Sequence, residues 1–358
     1  MTSSREQTEL VASPSESTEA FAAKSVSLRT IAEEADVHVS TVSRVLRANP
    51  NQPRTAVAER VWATAERLGY RRNLVASGLR TSSTQSIGVV SPRLYDIMVS
   101  TLCYSIEATA RYAGYQALIS SPPDDMGEQM RSVEFLLSRR VDGLILTSLH
   151  RDESVFADRL RSLSIPVIAA NRHLGDQVPS VTCDDRDGGR QATGHLIGLG
   201  HTRIGILAGQ RHASTGFNRM LGYRDAMAAA GIEVDEALVM HTDFEVEGGI
   251  LGAHALLSLA QPPTAIFAVN DMAAVGVLGA ANQRGLQVPR DLSVIGYNDI
   301  PVAAHLPTPL TTIHSPLRQM GEHAVSHLLS TIRGKDPTSD ILPVSLVVRS
   351  STAPPNVP

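Results

Sequence analysis

The residues best suited to recognition chemistry lie close together near the start of the chain. Val39, Ser40, Thr41, Ser43 and Arg44 fall on one side of a short segment that reads as a helix, leaving Val42, Val45 and Leu46 for the other side. Short hydroxyls reach phosphates or base edges, and an arginine fork can hold a guanine edge with two hydrogen bonds. The set suits close approach to DNA. The competing reading is an ordinary helical hairpin with a solvated polar face.

The elements that must position this face are legible around it. Leu28, Ile31, Ala32 and Ala35 recur at helical spacing and give one apolar stripe, with Ser27 placed to cap the first turn. Asp36 and Val37 make a turn, and the second stripe packs on the first only if the two helices cross steeply. Residues 54–68 supply a third helix, whose Val57, Val61, Ala65 and Leu68 close a small core, with Gly69 as its stop. Trp62 is expected to pack on that bundle. An N-terminal all-α helix-turn-helix head over residues 25–71 is the reading that uses every one of these features.

The string AEEADVHVSTVSRVL resembles the opening motif of the LacI/GalR family of bacterial repressors, roughly A-x-x-A-G-V-S-x-x-T-V-S-R-V-L. Ala32, Ala35, Val37, Thr41, Val42, Ser43, Arg44, Val45 and Leu46 fall in register with it. Two positions depart. Asp36 replaces a glycine, and a positive φ costs aspartate more than glycine. His38 replaces the serine that caps the second helix, so a weaker cap is expected. The resemblance implies that residues 72–84 hold a hinge helix that folds on DNA, with Leu79 wedged into the minor groove. It also implies DNA contacts from Ser27, Asn73 and Ala76. Arg72 stands where the family has proline, and a plain linker is the alternative for this stretch.

Over the whole chain, charge is unevenly distributed. Residues 26–82 carry nine Arg and Lys against five Asp and Glu, whereas residues 83–358 carry 21 against 27. A basic head on an acidic body fits a DNA-binding module joined to one that binds something else. Residues 1–24 read as a disordered tail rich in Ser, Thr and Glu, without the apolar run of a signal peptide. No stretch is long and apolar enough to span a membrane, and Cys103 and Cys183 read as free thiols, so a cytoplasmic protein is expected.

From Gln85 onward, apolar strand candidates (86–90, 115–120, 142–146, 166–170, 180–183, 203–208, 264–269 and 292–296) alternate with amphipathic helices. Repeated βα units imply parallel sheets covered on both faces, with ligands held beyond the carboxyl ends of the strands. The length suggests two doubly wound lobes with a cleft between them. Motifs similar to the family's recur here in order: HLIGLGHTRIGILAG, RMLGYRDAM, FAVND, GYND and PLTTI. They imply an α/β periplasmic-binding-protein-like core over residues 85–358 that holds a small-molecule effector and dimerises. By the family's pattern Arg219, Asn270 and Asn298 project into the cleft, Phe244 stacks on the ligand, and the loop SPRLYDIMV brings Tyr95, Asp96 and Met98. Asn171 and Asn298 stand where sugar-binding relatives often have Asp, which points to a polar ligand other than a neutral hexose, anionic or amide-bearing, near Arg219. His195 and His201 are expected to be packing positions.

Enzymatic readings find little support. No strand–helix junction carries G-x-G-x-x-G, there is no G-x-S-x-G elbow or H-E-x-x-H helix, and the twelve histidines show no ligand pattern. Neither a cofactor nor a metal is expected. The expectation is a homodimeric, ligand-responsive regulator, most simply a repressor, on a pseudo-palindromic double-stranded operator. The ligand either releases the protein from DNA or locks it on. A solute-binding module without DNA function is the alternative. The segment 350–358 lacks a leucine heptad, which favours a dimer over a tetramer. Arg44→Ala is expected to cost about 1–3 kcal/mol on the specific site and less on random DNA, as a base contact requires. Equal losses in competition binding would instead assign Arg44 to a phosphate.

Overall fold

The structure, a computed structural model, describes residues 26–46, 55–70 and 83–356. The N-terminal tail and the hinge positions Asn73, Ala76 and Leu79 lie outside the described residues. The chain divides into two compact units, Met1–Ser77 and Gly78–Pro358.

In the first unit three helices, α1 (Leu28–Glu34), α2 (Val39–Val45) and α3 (Ala56–Arg67), close on one small core. Ile31, Val42 and Val61 are fully buried at its centre, with Ala32, Ala35, Leu46 and Ala65 around them. Trp62 packs against this cluster, whereas Val57, one turn earlier on α3, is exposed. Each helix starts on a side-chain cap: the Ser27 hydroxyl accepts from the Thr30 N–H at 3.1 Å, and the Thr55 hydroxyl from Ala58 at 3.3 Å. Asp36 takes the left-handed conformation that the turn demands, with φ 51°. The Arg60 guanidinium donates to the Ala35 carbonyl at 3.0 Å and so ties α3 to the end of α1.

The second unit holds two lobes of the same design. In the first, strands β1 (Ser86–Val90), β2 (Gln116–Ser120), β3 (Leu144–Leu146), β4 (Val167–Ala170) and β5 (Ser180–Cys183) join β11 (Asp340–Leu342) in an all-parallel sheet of order β11-β5-β4-β3-β1-β2. In the second, β6 (Ile204–Leu207), β7 (Val239–Met240), β8 (Ala265–Ala268), β9 (Ser293–Asn298), β10 (Thr311–His314) and β12 (Ser345–Val347) form a sheet of order β12-β10-β9-β8-β6-β7, with only β12 antiparallel. Central strands such as β3 and β8 are buried along their whole length, as parallel strands covered on both faces must be.

Helices α4 (Ile97–Tyr112), α5 (Met126–Ser138), α6 (Ser154–Arg161) and α11 (Leu317–Ile332) cover the first sheet. Helices α7 (Asp185–Gly198), α8 (Ser214–Ala229), α9 (Val246–Leu257) and α10 (Asp271–Gln283) cover the second. The chain crosses between lobes three times: after β5, before α11, and between β11 and β12. In each sheet the winding direction reverses between the first strand and the third, β1 and β3 in one lobe and β6 and β8 in the other. Beyond the carboxyl ends at such a reversal, loops diverge and leave a crevice.

Candidate functional site

On the head, the second helix presents the expected face. Val39, Ser40 and Arg44 are exposed, and Thr41 and Ser43 are half-buried. The helix is capped after all: His38 Nδ1 accepts from the Ser40 N–H at 3.3 Å, so an imidazole replaces the expected serine hydroxyl. Ser27 is exposed, but its hydroxyl already caps α1.

In the core, the loops after β1, β4, β8 and β9 meet around a narrow cavity lined largely by polar and charged side chains. Seven described non-glycine residues have positive φ, and three of them, Arg93, Asn171 and Asn298, line this cavity. Strained backbone gathers where side chains must be aimed at a ligand. It also gives a second reason for asparagine at 171 and 298, since asparagine enters the left-handed region more readily than most residues.

Arg219 lies inside the wall, only 4% exposed. Its Nε donates to Asp185 at 2.8 Å, its Nη1 donates to the Val269 carbonyl at 2.5 Å, and its guanidinium lies 3.6 Å from the centre of the Tyr297 ring. Burial works against this cation, but the Asp185 carboxylate more than offsets it and holds Arg219 above its ordinary pKa. Two of its three nitrogens are thus committed to internal partners. Asn270 is similarly committed: Oδ1 caps α10 by accepting from Ala273 at 3.0 Å, and Nδ2 donates to the Phe244 carbonyl at 2.7 Å. Its neighbour Asp271 faces inward, accepting from the Thr312 hydroxyl at 2.6 Å and the Ile300 N–H at 2.8 Å, while burial pushes its carboxyl up to about 7. Asn171 donates only a long 3.4 Å bond to the Thr147 carbonyl, and the Asn298 Oδ1 accepts an equally long one from Ser315.

Tyr95 is not brought into the cavity. A turn closed by the Asp96 N–H on the Arg93 carbonyl at 2.9 Å leaves Tyr95 73% exposed, with its hydroxyl 2.5 Å from Glu245 of the other lobe. From this segment the cavity is lined by the expected Asp96 and Met98, and by Arg93 in place of Tyr95. Arg93 and Arg172 each sit 5.4 Å from the centre of the Phe244 ring.

Sequence reasoning missed both arginines and Thr215, which also lines the cavity. Their only signal was position: Arg93 and Arg172 each stand just after an apolar strand. Arg172 is buried and bonds Asp124 at 3.0 Å. Burial lowers its pKa, the Asp124 carboxylate opposes that, and the nearby cations Arg93 and Arg219 add to it. His195 and His201 bond only other parts of the protein, among them Thr352 at 2.9 Å and Thr264 at 2.8 Å, in keeping with packing roles.

Residues 27–73 match the family described as bacterial regulatory proteins, lacI family, and residues 193–352 match a periplasmic binding protein-like domain. The regulator DegA of Bacillus subtilis (strain 168) is 35% identical over 332 residues, covering 91% of this chain and 98% of that protein. The chain belongs to the lacI family of bacterial regulatory proteins. Another similar family member is catabolite control protein A of Priestia megaterium, 32% identical over 335 residues, with 91% of this chain and 99% of that protein covered. Among solved lacI-family structures, the lac repressor dimer bound to operator and the anti-inducer ONPF superposes with a TM-score of 0.81 at 29% identity, over 92% of this chain and all of that one. The complex of the regulator CelR with cellobiose gives 0.71 at 32% identity, over 91% and 99%. Membership makes the chain a transcriptional regulator rather than an enzyme. Among the described residues no helix is long and apolar enough to cross a membrane.

The wall that carries Arg219 depends on two helices meeting backbone to backbone. A Cβ at Gly189 of α7 would lie 2.2 Å from the Arg219 carbonyl oxygen, whereas one at Gly194 of the same helix would meet nothing within 4 Å. Gly189→Ala is therefore expected to lower stability by roughly 1–3 kcal/mol by forcing α8 away from α7. Gly194→Ala is expected to raise it by about 0.5–1 kcal/mol through the usual helical preference. Thermal unfolding of the two variants side by side checks the assignment.

Proposed function

We propose that this regulator binds a pseudo-palindromic operator as a homodimer in the cytoplasm, and that its effector is a small anionic metabolite bearing a carboxylate or phosphate. Arg93 carries this reading. Two of the three arginines on the cavity have internal carboxylate partners, Asp185 for Arg219 and Asp124 for Arg172. Arg93 makes no ion pair among the described residues, and its buried Nε has no hydrogen-bond partner. A buried donor on a cation costs free energy until something satisfies it. An anionic oxygen in the cavity would do so and would also relieve the repulsion among the three guanidiniums. Thr215, Asn171 and Asn298, whose protein hydrogen bonds are long or few, would serve the hydroxyls or amides of the same ligand.

The proposed division of labour is residues 25–71 for DNA recognition, 72–84 for the hinge and 85–358 for effector binding and dimerisation. Val39, Ser40, Thr41, Ser43 and Arg44 would read the major groove, with Asn73, Ala76 and Leu79 acting at the centre of the operator. Exposed apolar side chains on the core, including Tyr104, Tyr112 and Leu251, support a second copy as the partner that covers them. Effector binding would change the angle between the lobes and through it the spacing of the paired hinges.

The effector class is tested by thermal-shift screening of the full chain against phosphorylated sugars, sugar acids and neutral hexoses, followed by calorimetry. Anionic members of the panel are expected to stabilise the core, and Arg93→Ala to weaken their binding at least tenfold. Stabilisation by neutral hexoses alone, with Arg93→Ala unaffected, would overturn the reading.

A further inference from the structure

Outside the cleft, α11 and the edge strand β11 bring three metal-ligating side chains to one point. His323 Nδ1 and His327 Nε2 each lie 2.7 Å from the same oxygen, Oδ2 of Asp340. The candidate ligand atoms all fall within 4.8 Å of one another. The two histidines are one helical turn apart on α11, the spacing that places a pair of imidazoles on one face. We propose that His323, His327 and Asp340 bind a divalent transition-metal ion of the zinc type, with solvent completing the coordination shell.

The geometry fits that ion closely. Tetrahedral zinc with bonds of about 2.0–2.1 Å holds its ligand atoms roughly 3.3 Å apart, so each imidazole nitrogen has to draw back from Asp340 Oδ2 by about half an ångström. The imidazole rings are 6.2 Å apart and inclined at 64°, which lets their nitrogens converge on one centre. His327 has the outer partner that metal-bound histidines usually have: its Nδ1 is hydrogen-bonded to the Thr338 hydroxyl. Without an ion the two nitrogens that face Asp340 donate to its carboxylate; on metal binding neutral imidazoles would suffice, with the proton moved to Nε2 of His323 and Nδ1 of His327. Side-chain exposures of 44%, 20% and 34% leave a path for the ion and room for water.

A second cluster, Asp124 with His150 and His212, meets the same distance criterion but is a poorer site. The Arg172 guanidinium already occupies Asp124 at 3.0 Å, and the two rings stack at 3.8 Å with their nitrogens side by side. A dication there would face a buried cation.

The expectation of no metal site rested on the histidine pattern alone. The third ligand lies beyond a loop, on a three-residue strand that the apolar pattern did not mark. Because β11 leads directly into the crossover to β12, a bound ion would fasten the last passage of the chain between lobes to α11.

The test is titration of the full chain with Co2+, read by visible d–d absorption, and displacement by Zn2+. One saturable equivalent per chain with the spectrum of a four- or five-coordinate nitrogen–oxygen site is expected. His327→Ala and Asp340→Asn should each weaken it at least tenfold. His323→Gln, at the most exposed ligand, should do the same while keeping the circular dichroism of the native chain. His212→Ala should leave the titration unchanged. Absence of a saturable band, or a band that survives loss of His323 and His327, or one that disappears with His212, would overturn the proposal.

Discussion

A guanidinium buried in the wall of the cleft sets the terms for the rest of the core. Arg219 is held by Asp185 at the start of α7, by the end of the segment after β8, and by the face of Tyr297 on β9. Removing one member of such a buried pair leaves an uncompensated charge and costs about 3–5 kcal/mol. The pair is reachable only because α7 and α8 approach closely enough at Gly189 and Gly222 to exclude any side chain there. Packing, pairing and the shape of the cleft are therefore one arrangement. Arg219 is largely committed to internal partners, whereas Arg93 makes no ion pair among the described residues and its buried Nε has no hydrogen-bond partner.

Several contacts bridge the two lobes. The Tyr95 hydroxyl meets Glu245, the Arg151 guanidinium lies 3.5 Å from the centre of the Phe217 ring, and the Arg151 N–H bonds the His212 carbonyl at 2.9 Å. Arg93 and Arg172 flank Phe244 from the first lobe. Each such contact contributes on the order of 1 kcal/mol, so none fixes the lobes by itself. On the proposed function, a ligand that satisfied Arg93 would change the balance by an amount comparable to a typical allosteric coupling of about 1–3 kcal/mol.

The head and the central strands were legible in the sequence because their stripes have a single period and one partner. Ile31, Val42 and Val61 went to the core that their spacing implied, and β1 and β5 fell on their expected residues. The short strands β7, β11 and β12 were not marked, because two or three residues with polar neighbours carry no periodicity, and their pairing comes from the sheet edge. In the cleft, motif positions identified the right loops but not which atoms were free. Asn270 and Arg219 look like ligand groups by type, yet the Asn270 amide is bound to the Phe244 carbonyl 26 positions away and Arg219 is paired with Asp185 34 positions away. Arg93 was hidden by the opposite effect: only the turn that rotates Tyr95 outward shows that its neighbour faces in.

On the proposed function, occupancy of the cleft and binding of DNA are linked. The most direct test measures the affinity of the full chain for an operator selected from random duplexes, at one fixed salt concentration. It is made with and without a saturating amount of the anion that stabilises the core. The account predicts a change of about 5–150-fold in either direction, the range that such coupling energies produce. It also predicts the same factor in the affinity for the anion when operator is present. An operator affinity that stays constant while the cleft fills would contradict it.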